Sequence, residues 1–597
     1  MRMENALPYA TDFTTLLTGS YWSGAQVTGQ PVILTYSFLT TKPTTDPHGL
    51  GAALNTFTPF TADQQTLTQQ ALARWSGVSG IIFEQVAPGE GDINFAAYDL
   101  TSSGDGAGGE AFYPWGNWNY STQTSSTIRF GADIQSNGYG DVLMNTGDEV
   151  GGQFAYATLL HEIGHALGLK HPTEAWTLYP FGTAYNQWNV DVAYDPNFSI
   201  MSPSGSGSTL TDITGDDILA IDSIYGTAAQ QGAQFASWSW NAATYTLTGT
   251  LKNGGQTVRG VSTSNTITGG TGDDAIYAIG QGTNRIYGGA GNDTLVGGSG
   301  INYLDGGPGA DTLNGWFSAN TYASYADATM GVTVNLLNPA ANTGDAAGDS
   351  YSDIHDVQGS NFADTIIGDN GADYLLGGAG NDSITGGTGV DHLYGQAGND
   401  TLTAGAGTSY LDGGAGADVL IGMAGFASYA SYADATAAVT VNLLNPSANT
   451  GDAAGDSYSN IHDVQGSNFA DTIVGDNSAD ILYGGAGADT LTGGLGADQF
   501  SYNYASEGDD TITDFSAAQG DTIAVWHTGF GGGLAAGPLD PSHFANDAAN
   551  AATGQFIWVS ASHKLFWDSD GLGPAAQQLV AILQGVTTLT ASNIQVF

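Results

Sequence analysis

Residues 288–314 read GGAGNDTLV, GGSGINYLD, GGPGADTLN, three nine-residue units in unbroken register. The good units have the form G-G-x-G-x-D-x-U-x, where U is a large apolar residue. The glycines permit tight turns and left-handed dihedrals, the carboxylate at position six offers a hard oxygen ligand, and the apolar residue must point inward. A period of nine that meets all three demands predicts a parallel β-roll with divalent cations between its turns, calcium by the chemistry of the ligands. A flexible glycine-rich linker has no reason to repeat an apolar residue at every ninth position.

Working outward, residues 368–421 give six further nonamers and a third block runs from Gly475 to Ser501. Position six is held by Asp274, Asp293, Asp311, Asp373, Asp382, Asp391, Asp400, Asp418, Asp480, Asp489 and Asp498, the candidate calcium ligands. Asn284 and Asn302 replace the aspartate in two turns and Ser409 in another, so weak or empty sites are expected there. A longer duplication overlies the period. The stretch beginning SYADATMGVTVNLLNP at Ser324 recurs almost unchanged from Ser431.

Composition narrows the function classes. There are 89 glycines but 17 prolines, and 11% aromatics, which excludes collagen and featureless disorder. Against 58 acidic residues stand 9 lysines and arginines, for a net charge of -49, and after Arg285 the only one is Lys564. Nucleic acid and anionic membranes are therefore not expected partners, and a compact state needs bound cations to offset its self-repulsion. With no cysteine, neither a disulfide nor a catalytic or zinc-masking thiol is available. No segment reaches the roughly 20 apolar residues that span a bilayer. Met1 to Asp12 lacks an apolar core of signal-peptide length, so an export address is expected elsewhere.

The chain ahead of the repeats carries a different pattern. Val32–Phe38, Gly80–Val86, Asp92–Tyr98 and Ser126–Phe130 read as strands, and Thr61 caps a helix reaching Trp75. Further helices are predicted at about Phe154–Leu167 and Thr214–Tyr225. Residues 161–171 read HEIGHALGLKH. His161 and His165, four apart, share one helix face and can grip a single zinc ion. Gly168 permits the left-handed turn that ends the helix and can deliver His171 as third ligand, which leaves a position open for water. Glu162 can reach that water as general base and then protonate the leaving amine.

The extended motif followed by Ser199-Ile200-Met201-Ser202 resembles the metzincin signature with its Met-turn. With the nonamers added, nearly the whole chain is similar to the serralysin metallopeptidases, whose repeats are of the repeats-in-toxin (RTX) type. The resemblance implies that Met201 forms the apolar floor under the zinc. It also implies export by a type I secretion machinery and folding in external calcium. Serralysins usually carry a tyrosine two residues after that methionine, and this chain has Pro203, as matrixins do. Tyr179, Tyr185 and Tyr194 are candidates for the tyrosine's part.

The expected architecture is multidomain, α/β plus all-β. It runs as an N-terminal segment or short propeptide (1–30), a metzincin zinc-protease domain (31–228), a linker (229–264), RTX block 1 (265–315), a spacer (316–360), RTX block 2 (361–422), a second spacer (423–467), RTX block 3 (468–503) and a C-terminal β region with the secretion signal (504–597). The expected protein is a monomeric, secreted, extracellular or cell-surface-associated endopeptidase acting on proteins or peptides, with one catalytic Zn2+ and several structural Ca2+. A calcium-dependent surface protein with a vestigial protease domain and a zinc hydrolase of non-peptide substrates are the competing expectations.

Overall fold

A computed structural model describes residues 31–44, 51–99, 109–111, 142–145, 156–169, 201, 212–213, 215–315 and 320–597. The chain forms two compact units, the first comprising the residues up to Thr321 with Ser350–Ile354, and the second Tyr322–Asp349 with His355–Phe597.

The first unit opens on a five-stranded sheet. Strands β1 (Val32–Phe38), β2 (Ile81–Gln85), β3 (Ile93–Tyr98), β4 (Gly109–Ala111) and β5 (Val142–Asn145) lie in the order β2-β1-β3-β5-β4. All neighbours are parallel except β4 against β5. Every residue of β1 and β3 is buried, which accounts for their largely apolar character, and the polar Thr35, Ser37 and Asn94 among them are hydrogen-bonded, Thr35 to Asp92 and Ser37 to Asn94. Helix α1 (Ala62–Ser76) begins at a capping box in which Thr61 accepts from the Gln64 N–H and the Gln64 side chain accepts from the Thr61 N–H. It buries Ala71, Leu72 and Trp75 against α2 (Tyr156–Ala166), α3 (Gly215–Tyr225) and the sheet. The strand expected at Ser126–Phe130 lies outside the described residues.

The expected linker at 229–264 is instead built structure. Phe235–Asn241 and Thr246–Leu251 form an antiparallel pair, and Thr257–Arg259 is already a strand of the roll, parallel to Ala275–Tyr277. Thr257–Arg259 escapes the nonamer pattern because the pair Gly254-Gly255 ahead of it is followed by neither the glycine at position four nor the aspartate at position six. The segment is also bonded to the α/β layer. Gln231 Nε2 donates to the carbonyls of Ser76, Ser79 and Ile81, and Gln234 Nε2 to that of Pro31. Arg259 forms an ion pair of 2.7 Å with Asp92, both side chains being buried, while Asp92 also accepts from the N–H and hydroxyl of Thr35.

Beyond this point two parallel sheets face each other across one file of apolar side chains. Ala275–Tyr277, Thr294–Val296 and Thr312–Asn314 stack on one side, and Ser264–Thr268, Thr283–Tyr287 and Ile301–Asp305 on the other. Ile276, Leu295 and Leu313 meet Ile267, Ile286 and Leu304 in the interior, all fully buried. The second unit repeats the plan from Thr365–Ile367 through Val419–Ile421 and again from Thr472–Val474.

The two spacers also join the roll. Thr333–Asn335 pairs with Thr365–Ile367, and its counterpart in the second copy, Thr440–Asn442, pairs with Thr472–Val474. Nor does the stack stop at residue 503, because Asp510–Ile512 and Thr522–Val525 each add a strand. The C-terminal region then covers the end of one sheet with Gln578–Leu583, Lys564–Asp568 and Gln555–Val559.

Replacing Arg259 by alanine removes the cation from the buried Asp92 and is expected to cost about 3–5 kcal/mol. A fall in the urea midpoint of the first unit, followed by tryptophan fluorescence, checks this. An unchanged midpoint would mean that the pair is dispensable.

Candidate active site and metal centres

Helix α2 carries the HEIGH residues and is held from two sides. Trp75 Nε1 donates to the Leu160 carbonyl at 3.1 Å, and the Tyr225 hydroxyl of α3 donates to the Leu167 carbonyl at 2.9 Å. Gly168, with φ +97°, closes the helix. Its N–H donates to the His165 carbonyl and the Leu169 N–H to the Gly164 carbonyl, a Schellman arrangement that only glycine adopts without strain.

The same reversal orients a functional side chain. His165 Nδ1 lies 2.7 Å from the Leu169 carbonyl, which can only accept, so Nδ1 carries the proton and Nε2 keeps its lone pair. That Nε2 lies 3.1 Å from His161 Nε2, with the rings nearly perpendicular. Two imidazole nitrogens on one tetrahedral zinc ion stand roughly 3.3 Å apart, given bonds of about 2.0–2.1 Å. The spacing therefore fits a shared zinc. Glu162, 6% exposed, places a carboxylate oxygen within 4.8 Å of a ring nitrogen of each histidine.

Met201 is fully buried beneath this helix. A Cβ on Gly164 would lie 2.4 Å from Met201 Sδ and 3.2 Å from Trp75 Cζ2. The glycine inside the motif thus lets the methionine pack directly against the helix at a position between the two histidines in sequence, a role that the motif's spacing alone does not disclose. His171, Pro203 and the candidate tyrosines Tyr179, Tyr185 and Tyr194 lie outside the described residues.

All eleven position-six aspartates are buried. The Asp382 N–H donates to Asp400 Oδ1 and the Asp400 N–H to Asp418 Oδ1, at 2.7 and 2.8 Å, and the Asp274, Asp293 and Asp311 series does the same. The second oxygens of Asp293, Asp382, Asp400, Asp418, Asp489 and Asp498 are shut from solvent and meet no donor. A Cβ on Gly395 would sit 2.3 Å from Asp400 Oδ2, so the first glycine of that nonamer keeps open the space that this oxygen faces. A bare buried carboxylate oxygen beside a glycine-lined gap is what a hard cation would fill. Burial raises Asp293, Asp382, Asp400 and Asp489 to about 6.

The nonamer pattern missed several members of this series. Asp364 and Asp471, in GSNFADTI, join it through bonds to Asp382 and Asp489, and Asp456, Asp510 and Asp521 extend it. The signal was the Ala-Asp-Thr-Ile ending; serine and phenylalanine at the glycine positions hid it. The asparagine turns behave otherwise. Asn265 donates to Asn284 and Asn284 to Asn302, so these amides satisfy one another without an ion.

Comparison with known proteins agrees with both halves. Residues 54–197 match the matrixin family model, and the RTX calcium-binding nonapeptide repeat model matches at 253–280, 259–295, 279–313, 287–322, 358–393, 394–426 and 465–500. Serralysin G of Dickeya chrysanthemi is 33% identical over 218 residues, covering 34% of this chain and 41% of that protein. Metallopeptidase AprA of Pseudomonas marginalis is 29% identical over 235 residues, 35% of this chain and 43% of that protein. Serralysin of Proteus mirabilis is 30% identical over 156 residues, 26% and 30% respectively. The chain spans less than half the length of these curated relatives. It carries a matrixin domain joined to RTX calcium-binding repeats, with one Zn2+ and several Ca2+ as the metals these imply.

Gly164→Ala is expected to displace Met201 at a cost of about 1–3 kcal/mol, read as a lower melting temperature together with weaker zinc retention on dialysis. Retention and melting like the wild type would mean that Met201 yields freely.

The aspartate shifts give a second test. A carboxyl whose folded pKa is raised destabilises the ion-free fold as pH climbs from its unfolded value, about 3.9, through the folded value near 6. With calcium chelated, far-UV circular dichroism is expected to show more β structure at about pH 5 than at about pH 8, and added calcium to abolish the difference. Identical spectra at the two pH values would count against the buried carboxylates as the cause.

Proposed function

We propose that this chain, a matrixin domain joined to RTX repeats, is a secreted, calcium-stabilised zinc endopeptidase that hydrolyses proteins or peptides. The observation that carries this reading is the convergence of His161 and His165 Nε2 at 3.1 Å with the Glu162 carboxylate beside them. His161, His165 and His171 would hold the ion. When bound, zinc acidifies a water molecule and polarises the scissile carbonyl.

The remaining work belongs to the protein's own groups. Glu162 accepts the proton of the attacking water and returns it to the departing amine. At 6% exposure its carboxylate meets little bulk water during that exchange. The Leu169 carbonyl holds His165 in the tautomer that presents Nε2, and Met201 fixes the height of the helix beneath. Serralysin-type relatives support a secreted location, and the C-terminal region is the proposed type I secretion signal of a monomeric protein.

Casein hydrolysis by the calcium-loaded chain checks the assignment. Glu162→Ala is expected to lower kcat by on the order of 10²–10⁴ with zinc content preserved. Equal inactivity of both forms with zinc and calcium present would overturn the peptidase reading.

A further inference from the structure

Two clusters in the second unit have a composition that calcium turns do not explain. In the first, His355 Nδ1 lies 2.9 Å from Asp369 Oδ2, and Asp373 completes a group whose ligand atoms all fall within 4.8 Å of one another. In the second, at the equivalent place in the other copy of the duplication, His462 Nδ1 lies 2.9 Å from Asp476 Oδ2 beside Asp480. Each histidine comes from a spacer and each aspartate pair from the nonamer that follows it, where aspartate replaces glycine at position two.

An ordinary ion pair would satisfy the histidine and the position-two aspartate, and nothing more. It leaves the third carboxylate unexplained. Asp373 is fully buried and Asp480 1% exposed. One oxygen of each accepts a backbone N–H, from Asp369 at 2.9 Å and Asp476 at 2.7 Å. The other, Oδ1 in both, is shut from solvent with no donor. Elsewhere in the roll the bare oxygen of a position-six aspartate belongs to an all-oxygen site, which suits calcium. Here an imidazole nitrogen lies within 4.8 Å of a carboxylate oxygen of that aspartate, and imidazole is a ligand of zinc, copper and nickel rather than of calcium. The position-two carboxylate is itself fixed, since Asp369 Oδ1 accepts the Gly371 N–H and Asp476 Oδ1 the Ser478 N–H, each at 2.5 Å.

We propose that His355, Asp369 and Asp373, and equally His462, Asp476 and Asp480, form two equivalent sites for a divalent transition ion, with zinc as the representative metal. The duplicated spacer then has a chemical product: each copy brings one imidazole to the first turn of the block that follows. Both sites are built from residues outside the HEIGH motif, so they stand or fall independently of peptidase activity. His355 and His462 are about half exposed, with side-chain accessibilities of 49% and 43%, which gives the metal a route in and makes substitution there structurally mild.

The test is zinc stoichiometry. The full chain, saturated with calcium, is dialysed against zinc chloride, and bound zinc is counted by plasma mass spectrometry. His355→Ala and His462→Ala are each expected to lose one zinc equivalent relative to wild type, and the double variant two. Casein hydrolysis and the calcium-induced circular dichroism change should remain as in wild type. Asp369→Asn, which keeps the side chain's shape, should lose the same equivalent as His355→Ala. Equal zinc content in all the forms overturns the proposal. So does loss in the histidine variants without loss in Asp369→Asn, or displacement of the two zinc equivalents by a large excess of calcium, which would make these ordinary calcium turns.

Discussion

Between successive turns of the roll the backbone N–H of one position-six aspartate donates to the carboxylate of the next, as from Asp382 to Asp400 and from Asp400 to Asp418. That bond uses one oxygen and strands the other in a space from which solvent is excluded. An ionised carboxylate half satisfied in such a place is costly, and the cost recurs with every turn. The glycine at position one, the depressed content of lysine and arginine, and the overall charge of -49 all follow from leaving that space for a cation instead of a basic side chain. The apolar file between the sheets is thin, one residue per strand, so it cannot by itself offset the electrostatic strain.

Much of this was legible because the chemistry and the period coincide. The eleven aspartates could be named from the sequence, since an apolar residue and at least one glycine flank each at fixed distance within an unbroken nine-residue count. Asp364, Asp456, Asp471, Asp510 and Asp521 could not, because the backbone at those turns is shaped by serine, phenylalanine or insertions that break the nine-residue count. The same limit hid the strands of 229–264 and of the two spacers. Their pairing is set by neighbours far along the chain, and a three-residue strand such as Thr257–Arg259 leaves almost no local pattern. In the α/β layer β1 to β3 and the three helices lie within about two residues of their expected bounds, because long runs such as Val32–Phe38 are buried throughout, whereas the short strands β4 and β5 were not foreseen. The pairing of His161 with His165 followed from helical spacing alone. Gly164 did not, because its role depends on the arrival of Met201 from a distant segment.

The first unit shows how the two kinds of architecture are joined without a hinge. Gln231 and Gln234 hand side-chain N–H groups to backbone carbonyls at the edge of the α/β layer, and Arg259 delivers a guanidinium to Asp92. Asp92 immediately precedes β3, whose neighbour β1 supplies Thr35 as its other partner. A buried ion pair is a modest source of stability against an apolar replacement, but it tolerates few geometries, so its effect is to fix register. Roll strands and the α/β sheet are thereby indexed to one another within the unit.

The asparagine turns give the roll a direction. Asn265, Asn284 and Asn302, followed by Thr321, form a ladder in which each amide donates to the next side-chain oxygen. An amide ladder carries no charge, so its assembly is indifferent to ion concentration. In a stack where each turn rests only on its neighbours, whichever turns form without outside help become the seed on which the others are templated. Those turns adjoin the strands that are bonded to the α/β layer. Within the first unit, the stretch of roll that closes without a cation is thus the stretch already sewn to the α/β layer, like the fixed stop at the foot of a zipper.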